Sequence, residues 1–209
     1  MFVLSSPSGV GKTSLSRRLV SDHPDLDLSI SMTTRSPRPG EHHGREYFFV
    51  SEAEFDAKIA EGAFLEWAQL HGHQRSGTLK AQVMDSLAAG HDVMFDVDWQ
   101  GARVIAAAAP EDTVRVFILP PTMAEMVRRI RARAGDTEEM IRRRLETARE
   151  EFTKWGEYDY VVVNDDFDHA YSELAHIYHA ERLRRARNPW LAPFVERLMA
   201  EPLADAPSP

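Results

Sequence analysis

Along this chain, short apolar runs alternate with stretches in which apolar residues recur every three or four positions. The runs Met1–Ser5, Val93–Val97, Val114–Leu119 and Tyr160–Val163 have the length and composition of buried strands. Leu26–Met32, Tyr47–Val50 and Ala63–Leu70 are predicted strands as well, the first from the alternation of Leu28, Ile30 and Met32. Between them, Thr13–Asp22 carries Leu15 and Leu19 on one helical face. Leu79–Ala89 shows Leu79, Val83 and Leu87 at a spacing of four and stops at Gly90. Ser51-x-x-Glu54 and Thr122-x-x-Glu125 are capping boxes that open two further helices, the first carrying Phe55 and Ile59. Ile141, Leu145, Ala148, Phe152 and Trp155 form the stripe of another helix.

Strands alternating with helices predict an α/β fold with a parallel sheet flanked by helices on both faces. Residues 29–88 break that rhythm with a strand-rich insertion. Prolines at 189, 193, 202, 207 and 209 predict a frayed C-terminal tail. A length of 209 residues suits one domain with insertions and a sizeable core.

Composition narrows the functional classes. The longest apolar runs, such as Val104–Ala109, are too short to span a bilayer, and no secretory signal is expected. The absence of cysteine excludes disulfides and thiolate metal sites and fits a cytoplasmic enzyme. A net charge of −8 argues against a nucleic-acid partner, which needs a basic surface. The nine histidines show no metal-ligand spacing, and Trp67 and Trp99 are expected in the core.

Ser5–Leu15, "SSPSGVGKTSL", lies between the first strand and the first helix. Ser6-x4-Gly11-Lys12-Thr13 matches the phosphate-loop pattern, with Ser6 in place of the first glycine. In such a loop, Ser6, Pro7, Ser8, Gly9, Val10 and Gly11 wrap around the phosphates, the glycines letting successive backbone N–H groups curl around the oxygens with the helix N-terminus behind them. Lys12 would reach the β- and γ-phosphates, and Thr13 would complete the coordination of Mg²⁺. A plain glycine turn is the alternative, but strand, loop and helix stand in the required order.

Two further stretches suggest a second substrate. Arg35 and Arg38, set among prolines, have the fork geometry that binds phosphate, or else are simply solvated. Glu66 lies on a strand among apolar neighbours, and Asp96 and Asp98 end a buried strand where ligands bind in α/β sheets. A carboxylate can accept from the adjacent N1 and N2 groups of guanine. Asp96 stands where an acid would organise Mg²⁺ and its waters, although both aspartates could instead cap the following helix.

The chain resembles the guanylate kinases. The resemblance is carried by SPSGVGKTSL, SMTTRSPRPGEHHGREYFFVS, FLEWAQLHG, DVDWQGA, FILPP, RIRARAGDTEEMIRRRL and YDYVVVNDD, in unbroken order from Met1 to about Leu183. It implies a P-loop NTPase core (1–28, 89–125 and 156–185), a GMP-binding insertion (29–88), a helical lid (126–155) and a partly disordered extension (186–209). It also implies transfer of a phosphoryl group from ATP to GMP with Mg²⁺. Carried over by position, Ser31, Glu66 and Thr78 resemble guanine-reading residues, and Arg35, Arg38 and Tyr47 a clamp on the GMP phosphate. Asp98 resembles the acid near the GMP ribose and base, Asp96 lies beside the metal with Thr13, and Asn164 lies near adenine. Lys12, Arg133 and Arg144 would stabilise charge on the transferred group. No general base is needed, because the acceptor phosphate is already an oxyanion.

Of the eight arginines between 128 and 149, the others are expected on solvated faces, paired with Glu138, Glu139 and Glu146. Ala134 departs from the glycine usual after the first lid arginine. In His71–Thr78, "HGHQRSGT", there is one extra residue, and Ser76 replaces a phosphate-binding tyrosine. Arg75 either turns inward to substitute for it or lies exposed on a bulging loop. A catalytically silent interaction module and a kinase of a phosphorylated sugar are the alternatives. The first would lack Lys12 and the lid arginines, and the second would not need Glu66 or Thr78.

Overall fold

The computed structural model describes residues 1–38, 40–70, 74–132 and 138–202. Its centre is a parallel sheet of five strands. In spatial order these are β2 (Leu26–Leu28), β7 (Asp92–Asp96), β1 (Phe2–Ser5), β8 (Val114–Leu119) and β9 (Tyr160–Val163). β1 is buried at all four positions, as a central parallel strand covered on both faces must be. Phe2 and Leu4 face a cluster with Leu15 and Leu19 of α1 (Lys12–Asp22) and Leu174 and Tyr178 of α7 (Phe167–Arg182). Val3 points the other way. It packs with Phe95, with Val83 of α3 (Lys80–Ala88), and with Ala102 and Ile105 of α4 (Trp99–Ala108). The period of two along β1 therefore serves two cores at once.

A second sheet of four strands projects from this core in the order β4 (Phe48–Phe49), β3 (Met32–Thr33), β6 (Gln74–Leu79) and β5 (Phe64–Leu70). Its own core comes from α2 (Glu52–Ala60), whose Phe55 stacks on Phe64 with ring centroids 4.5 Å apart. The Ser51 capping box forms in full and fixes where α2 begins. Two further helices, α5 (Met123–Arg131) and α6 (Glu138–Phe152), follow β8, and α8 (Leu191–Ala200) ends the described chain. No helix among the described residues is long and apolar enough to cross a membrane.

Several local expectations are corrected. Leu26–Met32 is not one strand. Ser29 still bonds Met94 in the first sheet, and the chain then crosses to the second sheet at Met32. Gln74–Leu79 is a strand despite its polar sequence, because β5 and β3 flank it on both sides. Thr122 caps Glu125 N, but the Glu125 carboxylate turns to Arg128 and Arg129 rather than back to the cap, so this box is half made. On α6 the buried face holds Ile141, Arg144 and Ala148, while Trp155 lies beyond the helix and is 56% exposed. Trp67 is no core residue either, at 45% exposed, because it lies on the face of β5 opposite Glu66 and Ala68, at the margin of the contact with Phe55 of α2. Trp99 is half-buried, with Arg103 and Lys154 over its ring. In the C-terminal stretch read as a tail, Leu191–Ala200 is helical. Pro193 falls in its first turn, where a missing N–H breaks no helical bond.

Candidate active site

All five strands of the central sheet point the same way, so the residues after β1, β7 and β9 gather at one edge. The loop after β1 leads into α1 through Gly11, which has φ +94°. A Cβ there would lie 2.5 Å from Asn164 Nδ2, so the position excludes other residues by backbone conformation and by space. Asn164, buried after β9, donates from Nδ2 to the Val10 carbonyl over 2.6 Å and supports the loop from below.

Lys12 bridges loop and strand. Its Nζ is 2.5 Å from Asp96 Oδ1 and donates to the Val97 carbonyl over 2.9 Å. Burial opposes its charge, but Asp96 outweighs burial and raises its proton affinity. Thr13 Oγ1 donates to Asp96 Oδ2 over 2.9 Å. A hydroxyl and a carboxylate side by side at the mouth of a phosphate loop are the hard oxygen donors that suit Mg²⁺, which keeps most of its waters and takes few protein ligands. No cluster of three or more His, Asp or Glu among the described residues offers a fuller metal cage.

Across a cleft of about 240 Å³ stand the residues of the second sheet. Glu66 lies on the buried face of β5, 6% exposed. A bulge at Leu65 brings Thr78 of β6 opposite it, and the hydroxyl and amide of Thr78 hold its carboxylate. Burial nevertheless pushes Glu66 up to about 7, with Asp98 adding to the effect. Ser31 lines the same cleft, whereas Thr78 is fully buried behind Glu66. Gly101 of α4 backs the Glu66 carboxylate from the core side.

Arg35, Arg38 and Tyr47 line the outer part of the cleft. Glu41 organises them. It takes Arg35 Nη1 at 2.8 Å and Nη2 at 3.0 Å, and the Arg38 backbone N–H at 2.7 Å. The Arg35 guanidinium lies 5.0 Å from the Tyr47 ring centroid, and the Arg38 side chain is exposed. Asp98 does two things at once. It caps α4 by accepting from Gly101 N over 2.9 Å, and it also lines the cleft.

Arg144 of α6 is buried and reaches over the loop, with Nη1 3.5 Å from Ser8 Oγ. Arg133 and Ala134 lie outside the described residues. The expected pairs on the exposed faces form: Arg131–Glu138, Arg142–Glu146 and Arg143–Glu139. Asn164 is set apart from the main cleft. It borders a second cavity on the other side of the loop with Ser14, Arg129 and Phe167.

Arg75 adopts neither expected arrangement. Its guanidinium folds onto α2, pairing with Asp56 and Glu52 and lying 4.8 Å over the Phe55 ring. It is mostly covered, and its cation is committed to two carboxylates rather than to the cleft.

Sequence reasoning passed over Glu151 and Tyr158. Glu151 lines the cleft from the end of α6. Burial raises Tyr158 to about 12, and no described group bonds its hydroxyl by ordinary geometry. A signal for Glu151 existed, since it follows Arg144 by seven residues on an otherwise apolar stripe.

Comparison with known proteins agrees with this geometry. The guanylate kinase family profile matches residues 1–181. The chain is 57% identical to a guanylate kinase of Caulobacter vibrioides over 201 residues, covering 96% of this chain and 94% of that one. It is 53% identical to a guanylate kinase of Maricaulis maris, covering 96% and 92%. The crystal structure of guanylate kinase from Anaplasma phagocytophilum superposes with a TM-score of 0.80 at 30% identity, covering 97% and 96%. With a phosphate loop facing a buried carboxylate across one cleft, and with this likeness along nearly the whole chain, the protein belongs to the guanylate kinase family.

Proposed function

We propose that this enzyme, an ATP:GMP phosphotransferase, divides the reaction between the two walls of its cleft. One observation carries the assignment: Lys12, Thr13 and Asp96 meet at the phosphate loop while Glu66 faces them from the second sheet. ATP would lay its phosphates along Ser6–Thr13, with adenine in the cavity beside Asn164, Arg129 and Phe167. GMP would offer guanine N1–H and N2–H to Glu66, with Ser31 and Thr78 completing the base site and Asp98 near the ribose. Arg35, Arg38 and Tyr47 would hold its phosphate. On this reading residues 29–88 act as the GMP-binding unit, 126–155 as the lid, and the rest of 1–185 as the core.

A GMP phosphate oxygen attacks the γ-phosphorus, the bond from that phosphorus to the β–γ bridging oxygen breaks, and ADP carries away the electron pair. Mg²⁺ at Thr13 and Asp96, when bound, would neutralise phosphate charge. Lys12 turns from Asp96 to the transferred group, and Arg144 and Arg133 add positive charge from the lid. Positioning and electrostatics do the work, so no base is required. The presence of Lys12, Thr13 and Arg144 favours a working kinase over a silent module.

Lys12→Met tests the assignment. It should leave GMP binding within about twofold and remove most turnover, by a factor on the order of 10³ if Lys12 supplies about 4 kcal/mol to the transition state. Wild-type turnover in this variant would refute the role given to the loop.

A further inference from the structure

Glu151 sits in the last turn of α6 and lines the phosphate end of the cleft. It follows Arg144 by two turns, on the face that also buries Ile141 and Ala148, so both charged side chains leave the helix toward the same loop. Arg144 approaches the Ser8 hydroxyl, and Glu151 lines the same cleft as Ser8 and Lys12. Its Oε2 atom is buried and has no hydrogen-bond partner among the described residues.

That placement is costly for a carboxylate. Burial pushes the group up to about 7, Lys12 and the Ser8 amide oppose the shift, and Asp98 reinforces it. The surroundings are otherwise built to hold anions: loop amides, the start of α1, Lys12 and Arg144. A carboxylate and a phosphate are both negatively charged hydrogen-bond acceptors, so the same cations and amides attract both. The two groups therefore compete for the loop end of the cleft.

We propose that Glu151 is a positioning residue of the lid: with the loop empty its carboxylate stands in for phosphate at the loop end of the cleft and holds α6 in place, and the donor nucleotide's phosphates displace it, letting α6 carry Arg144 to the transferred group. The proposal rests on the reading of Ser6–Thr13 as the donor phosphate site.

ADP binding measured by calorimetry, with and without Mg²⁺, tests it in the full chain. Glu151→Gln keeps the side chain's shape and removes its charge, and Glu151→Ala removes the competing acceptor. Both should bind ADP at least fivefold more tightly than the parent. In steady-state assays both kcat and KM for ATP should fall, with KM for GMP within twofold. A merely structural role would not tighten ADP binding. If either variant fails to fold, Glu151→Asp, which withdraws the carboxylate by one methylene, should tighten ADP in the same way. ADP affinity unchanged or weakened in the folded variants overturns the proposal. Failure of the parent itself to bind ADP overturns the loop assignment, and the proposal with it.

Discussion

Gly101 leaves the space that Glu66 fills: a Cβ on this α4 glycine would stand 2.9 Å from Glu66 Oε2 and 3.2 Å from its Cδ. The helix thus backs the carboxylate at a distance that leaves no room for a Cβ. Gly101→Ala should favour the helix by up to about 1 kcal/mol through propensity alone, while pushing Glu66 out of line with its ligand. We expect GMP affinity to fall about tenfold, corresponding to one hydrogen bond of about 1.4 kcal/mol. The thermal midpoint should hold or rise. Calorimetric titration of GMP beside a melting curve checks both, and equal losses in the two would point to general damage instead.

Glu66 also sets a pH dependence. Its carboxyl is raised from 4.5 to about 7 in the nucleotide-free protein, so between those values the folded state binds more protons than the unfolded chain. Its contribution to stability therefore declines as pH rises from about 4.5 to 7 and is level above that. In the base site proposed above, guanine would donate to the ionised form and pull the proton off. Guanosine, which lacks a titrating phosphate, should bind more tightly at pH 8 than at pH 5.5. Glu66→Gln should bind it weakly at both values. A parent affinity independent of pH would contradict this role.

Arg75 is held on α2 by Asp56 and Glu52. Arg75→Ala should lower the melting temperature by loosening β6 from α2, since the side chain also covers Phe55. GMP affinity should stay within about twofold, and its salt dependence should not change. A strong loss of affinity with a flattened salt dependence would show instead that the guanidinium leaves α2 for the GMP phosphate.

Asn164 supports the loop through Val10 O. Asn164→Leu removes the shorter of the two hydrogen bonds to the Val10 carbonyl and leaves only Arg129 Nη1 at 3.4 Å, at a cost of about 1 kcal/mol. The expected result is a lower thermal midpoint together with weaker ATP binding, and unchanged GMP binding. Loss confined to stability would make Asn164 a scaffold residue with no part in nucleotide binding.

Much of this protein is legible without coordinates, because local chemistry specifies it. The loop at Ser6–Thr13 is readable because glycine freedom, a lysine and a hydroxyl must stand in that order between a strand and a helix. The capping box at Ser51 and the strands of the central sheet are equally local. Glu66 stands out as a charge among apolar neighbours on one strand. Other features depend on partners distant in sequence. Gln74–Leu79 becomes a strand only because β3 and β5 supply its hydrogen bonds. Leu26–Thr33 splits between two sheets although its alternation is continuous, since periodicity marks a face but not which sheet receives it. The destination of Arg75 depended on carboxylates about 20 residues away, and an arginine bonds whichever acceptor the fold brings near. Glu151 became a candidate only when α6 lay across the loop, because its chemistry comes from Ser8 and Lys12, more than 130 residues earlier in the chain. Residue type and spacing determined the loop, the caps and the strands; the closing of long chain segments decided which charges face one another, because electrostatic partners are chosen by distance in space.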